Sequence, residues 1–312
     1  MSDIPSPHTD TRTQGQKPHL FVFGPGYSAT GVMDRALEAG WTVSATWRRP
    51  EARDALEKQG ITPVRMEDGH FNPSSLAPVS HILTTIAPER TGAGDDPVLR
   101  IAGDWLKSLT GPGWIGYLSS TNVYGDHAGA WVDETSTLKP HLDRGKRRLK
   151  AEHAWRGLAD SLAARLHVFR LAGIYGPGRN AVKSLMAGTA RRIIKENQVF
   201  SRVHVSDIEQ ALWAGMTSTA GHDIFNMADD KPLPPQTVIE MAAEALGMVP
   251  PPAIPFEQAD ISPMARSFYT ESKRVKNTRV KDVLGIRLRY PTFESALDEL
   301  VAAEKQVAGK AG

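Results

Sequence analysis

Cysteine is absent from this 312-residue chain, which excludes disulfides and thiolate metal sites together. That suits a reducing compartment, and a cytoplasmic location is the expectation. Net charge is almost absent too: 37 Lys and Arg stand against 35 Asp and Glu, a formal +2. No global field therefore argues for nucleic acid or an anionic membrane surface as a partner. No apolar run approaches the roughly 18 residues that a membrane-spanning helix needs. Residues 1–18 are polar, rich in Pro, Ser and Thr, and lack the apolar stretch of a secretory signal; they read as a disordered tail. No grouping of His, Asp and Glu has the spacing of a metal site.

What the chain does have is alternation. Short apolar runs such as "HLFVF" (19–23), "TVSATW" (42–47) and "GWIGYLSS" (113–120) are separated by helix-like stretches of 3–4 periodicity. That pattern builds a parallel sheet covered by helices. The expected fold is α/β, a Rossmann-like doubly wound parallel sheet with a smaller C-terminal α/β substrate lobe. Residues 19–175 would form the dinucleotide-binding domain and 176–312 the lobe, with the segment near 203–228 returning to the main sheet. Within the lobe, a helix is expected over about 181–196. Another is expected from Ser206, with Glu209 completing a capping box.

The first strand runs into "GPGYSA", in which Gly24, Gly26 and Ala29 give G-x-G-x-x-A between strand and helix. The first Gly permits a tight turn, the second admits a pyrophosphate to the backbone, and a small third residue allows close helix–strand packing. Tyr27 and Ser28 lie on the same turn. The helix start then offers free N–H groups to phosphate. An ordinary βα turn with no ligand is the alternative. At the end of the second strand stand Arg48 and Arg49, with no acidic residue before Glu51. Guanidinium forks suit a 2′-phosphate, so NADP(H) is favoured over NAD(H); two solvated arginines are the plainer reading.

"YLSSTNVYGD" (117–126), "WVDETSTLKP" (131–140), "RLAGIYGPGRN" (170–180), "RVHVSDIEQAL" (202–212), "FNMADDKPLP" (225–234) and "VLGIRLRYPTFESAL" (283–297) occur in this order along the chain. Together they resemble an atypical extended short-chain dehydrogenase/reductase, the NAD-dependent epimerase/dehydratase family. The resemblance implies an NAD(P)-dependent oxidoreductase or epimerase/dehydratase acting on a small, sugar-derived substrate, with a homodimer as the default assembly. It places Ser120 at the catalytic Ser/Thr position and Thr121 and Tyr124 beside the substrate. Thr85, Ile86 and Ala87 would form the wall along the cofactor, and Ala172 and Ile174 would lie near the nicotinamide. Arg179 and Arg202 become candidates for an anionic substrate group; His204, alternating with Val203 and Val205 on an expected strand, is a candidate for the substrate side.

One departure stands out. The family's Tyr-x-x-x-Lys pair falls, by the resemblance, on Arg144 and Arg148 in "DRGKRRLKAEHAW". A guanidinium does not exchange protons near neutral pH, so Arg144 does not replace the phenol. Arg148 can still hold ribose hydroxyls and supply positive charge. His141 and Asp143, just before that helix, are further candidates for the cleft. The missing tyrosine keeps a second function open: a non-catalytic NADP(H)-binding sensor or regulatory module.

Overall fold

The computed structural model describes residues 17–74, 76–90 and 95–311, so the expected tail over residues 1–16 lies outside the described residues. β1 (His19–Phe23) is followed by α1 (Thr30–Glu38), β2 (Thr42–Trp47), α2 (Pro50–Lys58), β3 (Thr62–Arg65) and β4 (His81–Thr84). Next come α3 (Pro97–Ser108), β5 (Trp114–Ser120), the two-residue β6 (Trp131–Val132), α4 (Asp143–Ser161) and β7 (Arg165–Leu171). Beyond these lie β8 (Gly173–Tyr175), α5 (Ala181–Met186), β9 (Arg192–Ile194), β10 (Arg202–His204), α6 (Val205–Thr217), β11 (Asp223–Met227) and α7 (Pro235–Ala245). The chain closes with β12 (Ala253–Pro255), α8 (Pro263–Phe268), β13 (Arg274–Val275), α9 (Thr278–Leu284) and α10 (Phe293–Ala311).

Seven strands form one sheet in the order β11-β7-β5-β4-β1-β2-β3, every neighbouring pair parallel. In β1, alternate side chains serve opposite faces, as a strand's period of two requires. Leu20 and Val22 pack with α1 and α6 through Val32, Met33, Ile208 and Leu212. Phe21 and Phe23 pack with α3 and α4 through Val98, Ala102, Leu106 and Trp155. Both faces are thus covered, which explains why the central strands are apolar almost throughout. The strand order reverses between β1 and β4, and at such a point the loops leaving the carboxyl ends diverge into a crevice.

Helix α3 ties the frame together. Asp96 caps it, accepting from Val98 N (2.9 Å) and Leu99 N (3.2 Å), and its other oxygen accepts from Trp155 Nε1 on α4 (2.9 Å). On the opposite side of the sheet, His167 is fully buried. Its Nδ1 accepts from Trp114 Nε1 (3.0 Å) and its Nε2–H donates to the Gly221 carbonyl (2.9 Å). Burial lowers its pKa from 6.5 to about 4. The unfolded chain therefore takes up a proton near pH 6.5 that the fold refuses until about pH 4. His167 contributes stability above pH 6.5 that is lost as the pH falls through that window. Nitrogen NMR of the imidazole is expected to show a neutral Nε2–H tautomer at pH 5.5; a ring titrating near 6.5 would contradict the burial.

Two local expectations need correction. The helix expected over 181–196 stops at Met186, because Gly188 turns the chain at φ +66° and β9 pairs with the distant β12. That pairing, 61 residues apart at Arg192 and Ala253, has no local signature. The capping box at Ser206 and Glu209 does not form: His204 caps α6, its Nδ1 accepting from Ser206 N (3.2 Å). Glu209 instead lies against Gly31 on α1. Among the described residues, no helix is long and apolar enough to cross a membrane.

Candidate functional site

The glycine turn sits at the reversal point. Gly24 has φ +81°, and a Cβ there would stand 2.7 Å from Ile86 Cγ1 and 2.8 Å from Thr85 Oγ1. The turn is pinned on both sides: Gly24 N–H donates to Thr46 Oγ1 on β2 (3.0 Å), and Thr85 Oγ1–H donates to the Gly24 carbonyl (2.5 Å). Gly26 differs, since a Cβ there would meet nothing within 4 Å. Ala29 is fully buried at the helix start, and α1 begins with neither a side-chain cap nor an acidic residue in its first turn. The Ala29 and Thr30 N–H groups at its start donate back to the Gly26 carbonyl (2.8 and 3.2 Å), and no side chain caps the turn that follows. Tyr27 reaches across the crevice, its hydroxyl donating to the Pro177 carbonyl (3.1 Å) beyond β8. Arg48 and Arg49 are exposed where β2 ends, and neither guanidinium has a partner among the described residues.

Across the reversal, β5 ends at Ser120, whose Oγ accepts from Asn122 N (3.2 Å) and starts a single 3₁₀ turn over Thr121–Tyr124. Helix α4 docks against that turn because Gly145 has no side chain; a Cβ there would lie 2.6 Å from the Asn122 carbonyl. Beneath it runs a buried polar network. Ser119 Oγ–H donates to Glu152 (2.5 Å), and Glu152 receives two hydrogen bonds from Arg170 (2.9 and 3.2 Å). Arg170 also donates to Tyr124 Oη (3.1 Å), whose own hydroxyl donates to Asn226 (2.7 Å). Glu152 and Arg170 side chains are only 5% and 3% exposed.

Above this network lies an open cleft of about 430 Å³. Its walls carry Ala87, Ser120, Asn122, Asp143 and four arginines, Arg90, Arg144, Arg147 and Arg148, with Met264 and Phe268 of α8 facing them. Arg148 Nη1 donates to the Leu118 carbonyl (2.8 Å) and to Tyr117 Oη (3.2 Å). Arg144 donates to Ser267 Oγ and to the Ser267 carbonyl (3.2 Å), and stacks 4.1 Å above the Phe268 ring. Burial pulls the Arg144 guanidinium below its ordinary pKa, with Glu271 opposing.

The other residues expected at the site lie elsewhere. Tyr124 is fully buried in the network, and Thr121 is 8% exposed. His204 is 1% exposed, its ring 4.1 Å from Tyr290 and 5.1 Å from Tyr175, and burial lowers its pKa to about 4. Arg202 donates to the Phe200 and Leu233 carbonyls (2.9 and 3.2 Å), and its pKa falls to about 10 through burial. Arg179 is exposed on the turn after β8. Ala172 is buried and Ile174 half-buried, at the exit of β7 and within β8. None of these seven lines the arginine cleft. Arg90, Arg147, Met264 and Phe268 do, and none was singled out from the sequence. Arg147 shared a helix with the residues singled out there, whereas α8 reaches the cleft across more than a hundred residues.

No family model matches the chain, and no curated protein does. Among solved structures, a functionally unknown conserved protein from Silicibacter pomeroyi DSS matches with a TM-score of 0.83 at 45% identity, over 92% of this chain and 99% of that one. The chain belongs to that protein's family, and its fold is that of the extended short-chain dehydrogenase/reductases. The UDP-glucose 4-epimerase of Thermotoga maritima, solved with UDP-glucose, shares this fold at TM-score 0.73 and 16% identity, over 93% of this chain and 99% of that one. A human epimerase family protein solved with NADPH does so at 0.70 and 17%, over 91% and 99%. Within this fold, the helix bearing Arg144 and Arg148 runs alongside Ser120, and all three side chains line one cleft.

Proposed function

We propose that the chain binds NADP(H) across the carboxyl edge of its sheet and is an oxidoreductase or epimerase/dehydratase-like enzyme acting on a small molecule. The observation that carries this reading is the turn at Gly24–Ala29, pinned from both sides yet open beside Gly26 and leading into an uncapped helix. These are the features a pyrophosphate needs. Arg48 and Arg49 would hold the 2′-phosphate and Arg148 the nicotinamide ribose. Ser120 would orient a substrate oxygen. The bound dinucleotide would supply hydride exchange at its nicotinamide ring. Arg144, always protonated, would hold charge and would not carry the proton.

In a titration followed by nicotinamide fluorescence, NADPH is expected to bind at least tenfold more tightly than NADH. Replacing both arginines (R48A/R49A) is expected to erase that preference while leaving NADH affinity within twofold. Tighter binding of NADH by the unaltered protein would overturn the NADP(H) assignment.

A second reading, a non-catalytic NADP(H) sensor, draws support from one observation: the position facing Ser120 on α4 carries guanidinium instead of phenol. A screen for NADPH oxidation over carbonyl compounds and nucleotide sugars separates the two. Turnover that disappears in S120A supports the enzyme. Tight NADPH binding with no turnover on any compound supports the sensor.

A further inference from the structure

Four guanidinium groups around one cavity repel one another, and proteins ordinarily answer buried or half-buried charge with carboxylates. Here the answer is only at a distance, from Glu271 toward Arg144 and from Asp96 toward Arg148. No ion pair joins Arg90, Arg144, Arg147 or Arg148 to a carboxylate among the described residues. Arg90 donates to the thioether of Met264 (3.2 Å), Arg144 to Ser267, and Arg148 to a carbonyl and a phenol. Arg147 has no hydrogen-bond partner among the described residues, and Arg144 Nε is buried without one.

The nearby carboxylates make their direct bonds elsewhere, although Glu271 keeps one buried oxygen without a hydrogen bond and acts on Arg144 from a distance. Asp95 pairs with Lys150 (2.6 Å), Asp96 caps α3 and holds Trp155, and Glu271 pairs with Lys273 (2.8 Å). Only Asp143 shares the cleft wall. Opposite the arginines, Met264 and Phe268 give the cleft an apolar side, and about 430 Å³ is ample for a small metabolite.

From this geometry we infer that the substrate carries an oxyanion, a carboxylate or a phosphate monoester, on the part that enters the cleft beside Ser120. Arg144 and Arg147 take that group through charged forks matched to its oxygens, and α8 covers the carbon skeleton. The inference rests on the reading of this cleft as the nicotinamide end of a dinucleotide site. It adds the substrate's charge class and the residues that select it. An uncharged sugar ring or simple ketone would leave the guanidinium groups answered only at a distance, as they are now.

Calorimetric titration of the full chain with malonate, inorganic phosphate and the neutral isostere malonamide tests this, with NADPH titrated in parallel. At least one anion is expected to bind at low ionic strength, and malonamide is expected to give no heat. R144Q and R147Q should each weaken the anion at least tenfold while NADPH affinity stays within twofold. Arg147 makes no hydrogen bond among the described residues, so R147Q tests charge alone should R144Q fold poorly. Tighter malonate identifies a carboxylate and tighter phosphate a phosphate monoester. Equal binding of malonamide, or anion binding indifferent to both substitutions, or none at all, overturns the inference while leaving NADPH binding intact. Conversely, anion binding that falls in the variants of a chain indifferent to NADPH would sustain the anion site and remove the cofactor reading.

Discussion

G26D is expected to fold as the unaltered chain does and to lose NADPH affinity at least 100-fold, about 2.7 kcal/mol. The two halves of this expectation have one geometric cause. A Cβ at Gly26 would meet nothing within 4 Å, and the residue lies outside the left-handed region, so the substitution strains nothing. The open space it enters is where the proposed pyrophosphate would lie, and a carboxylate there would repel phosphate at short range. Gly24 makes the contrast. At φ +81°, with Ile86 and Thr85 under 3 Å from its notional Cβ, G24A should destabilise the fold itself. Thermal melts and NADPH titration of both variants check the pair. A G26D protein with native melting and native NADPH affinity would show that no phosphate sits at this turn.

R170M should be among the most destabilising single changes in the molecule, by about 3–5 kcal/mol, because it strands Glu152 as a buried, uncompensated carboxylate. At the scaling typical of larger domains, the melting temperature drops by roughly 10 °C. Ser119 remains as a donor to Glu152, but one hydroxyl does not neutralise a charge. Tyr124 also loses its guanidinium neighbour. The double replacement E152M/R170M should recover most of the loss, since two apolar side chains of similar length remove both charges together. Chemical denaturation of the three proteins measures this directly. If R170M melts within 2 °C of the unaltered chain, the network contributes nothing to stability, and its part in seating Ser120 and Tyr124 is cosmetic.

The parallel sheet was legible because strand and helix periodicities alternate cleanly from Leu20 to Leu171, and because G-x-G-x-x-A has a mechanical meaning at a βα turn. The exposed place of Arg48 and Arg49 at the end of β2 was legible for the same reason. What could not be read were contacts closed by long loops. The wall formed by Met264 and Phe268 depends on α8 folding back over α4, and Arg90 enters from the loop after β4. His204 looked like a strand residue facing a ligand, and alternation with Val203 and Val205 supported that. In the fold it ends its strand as the cap of α6, wedged between two tyrosines. Local pattern fixes which way a backbone runs better than it fixes which side chain becomes a terminus.

A tyrosine–lysine pair is a device with a setting: its phenol must sit near its pKa to give or take a proton, so its output rises and falls with acidity. The pair standing here, Arg144 and Arg148, has no such setting. A guanidinium does not exchange protons near neutral pH. For the proposed oxyanion, any dependence of binding on acidity near neutral pH would come from the ligand's own ionisation and not from these two guanidinium groups.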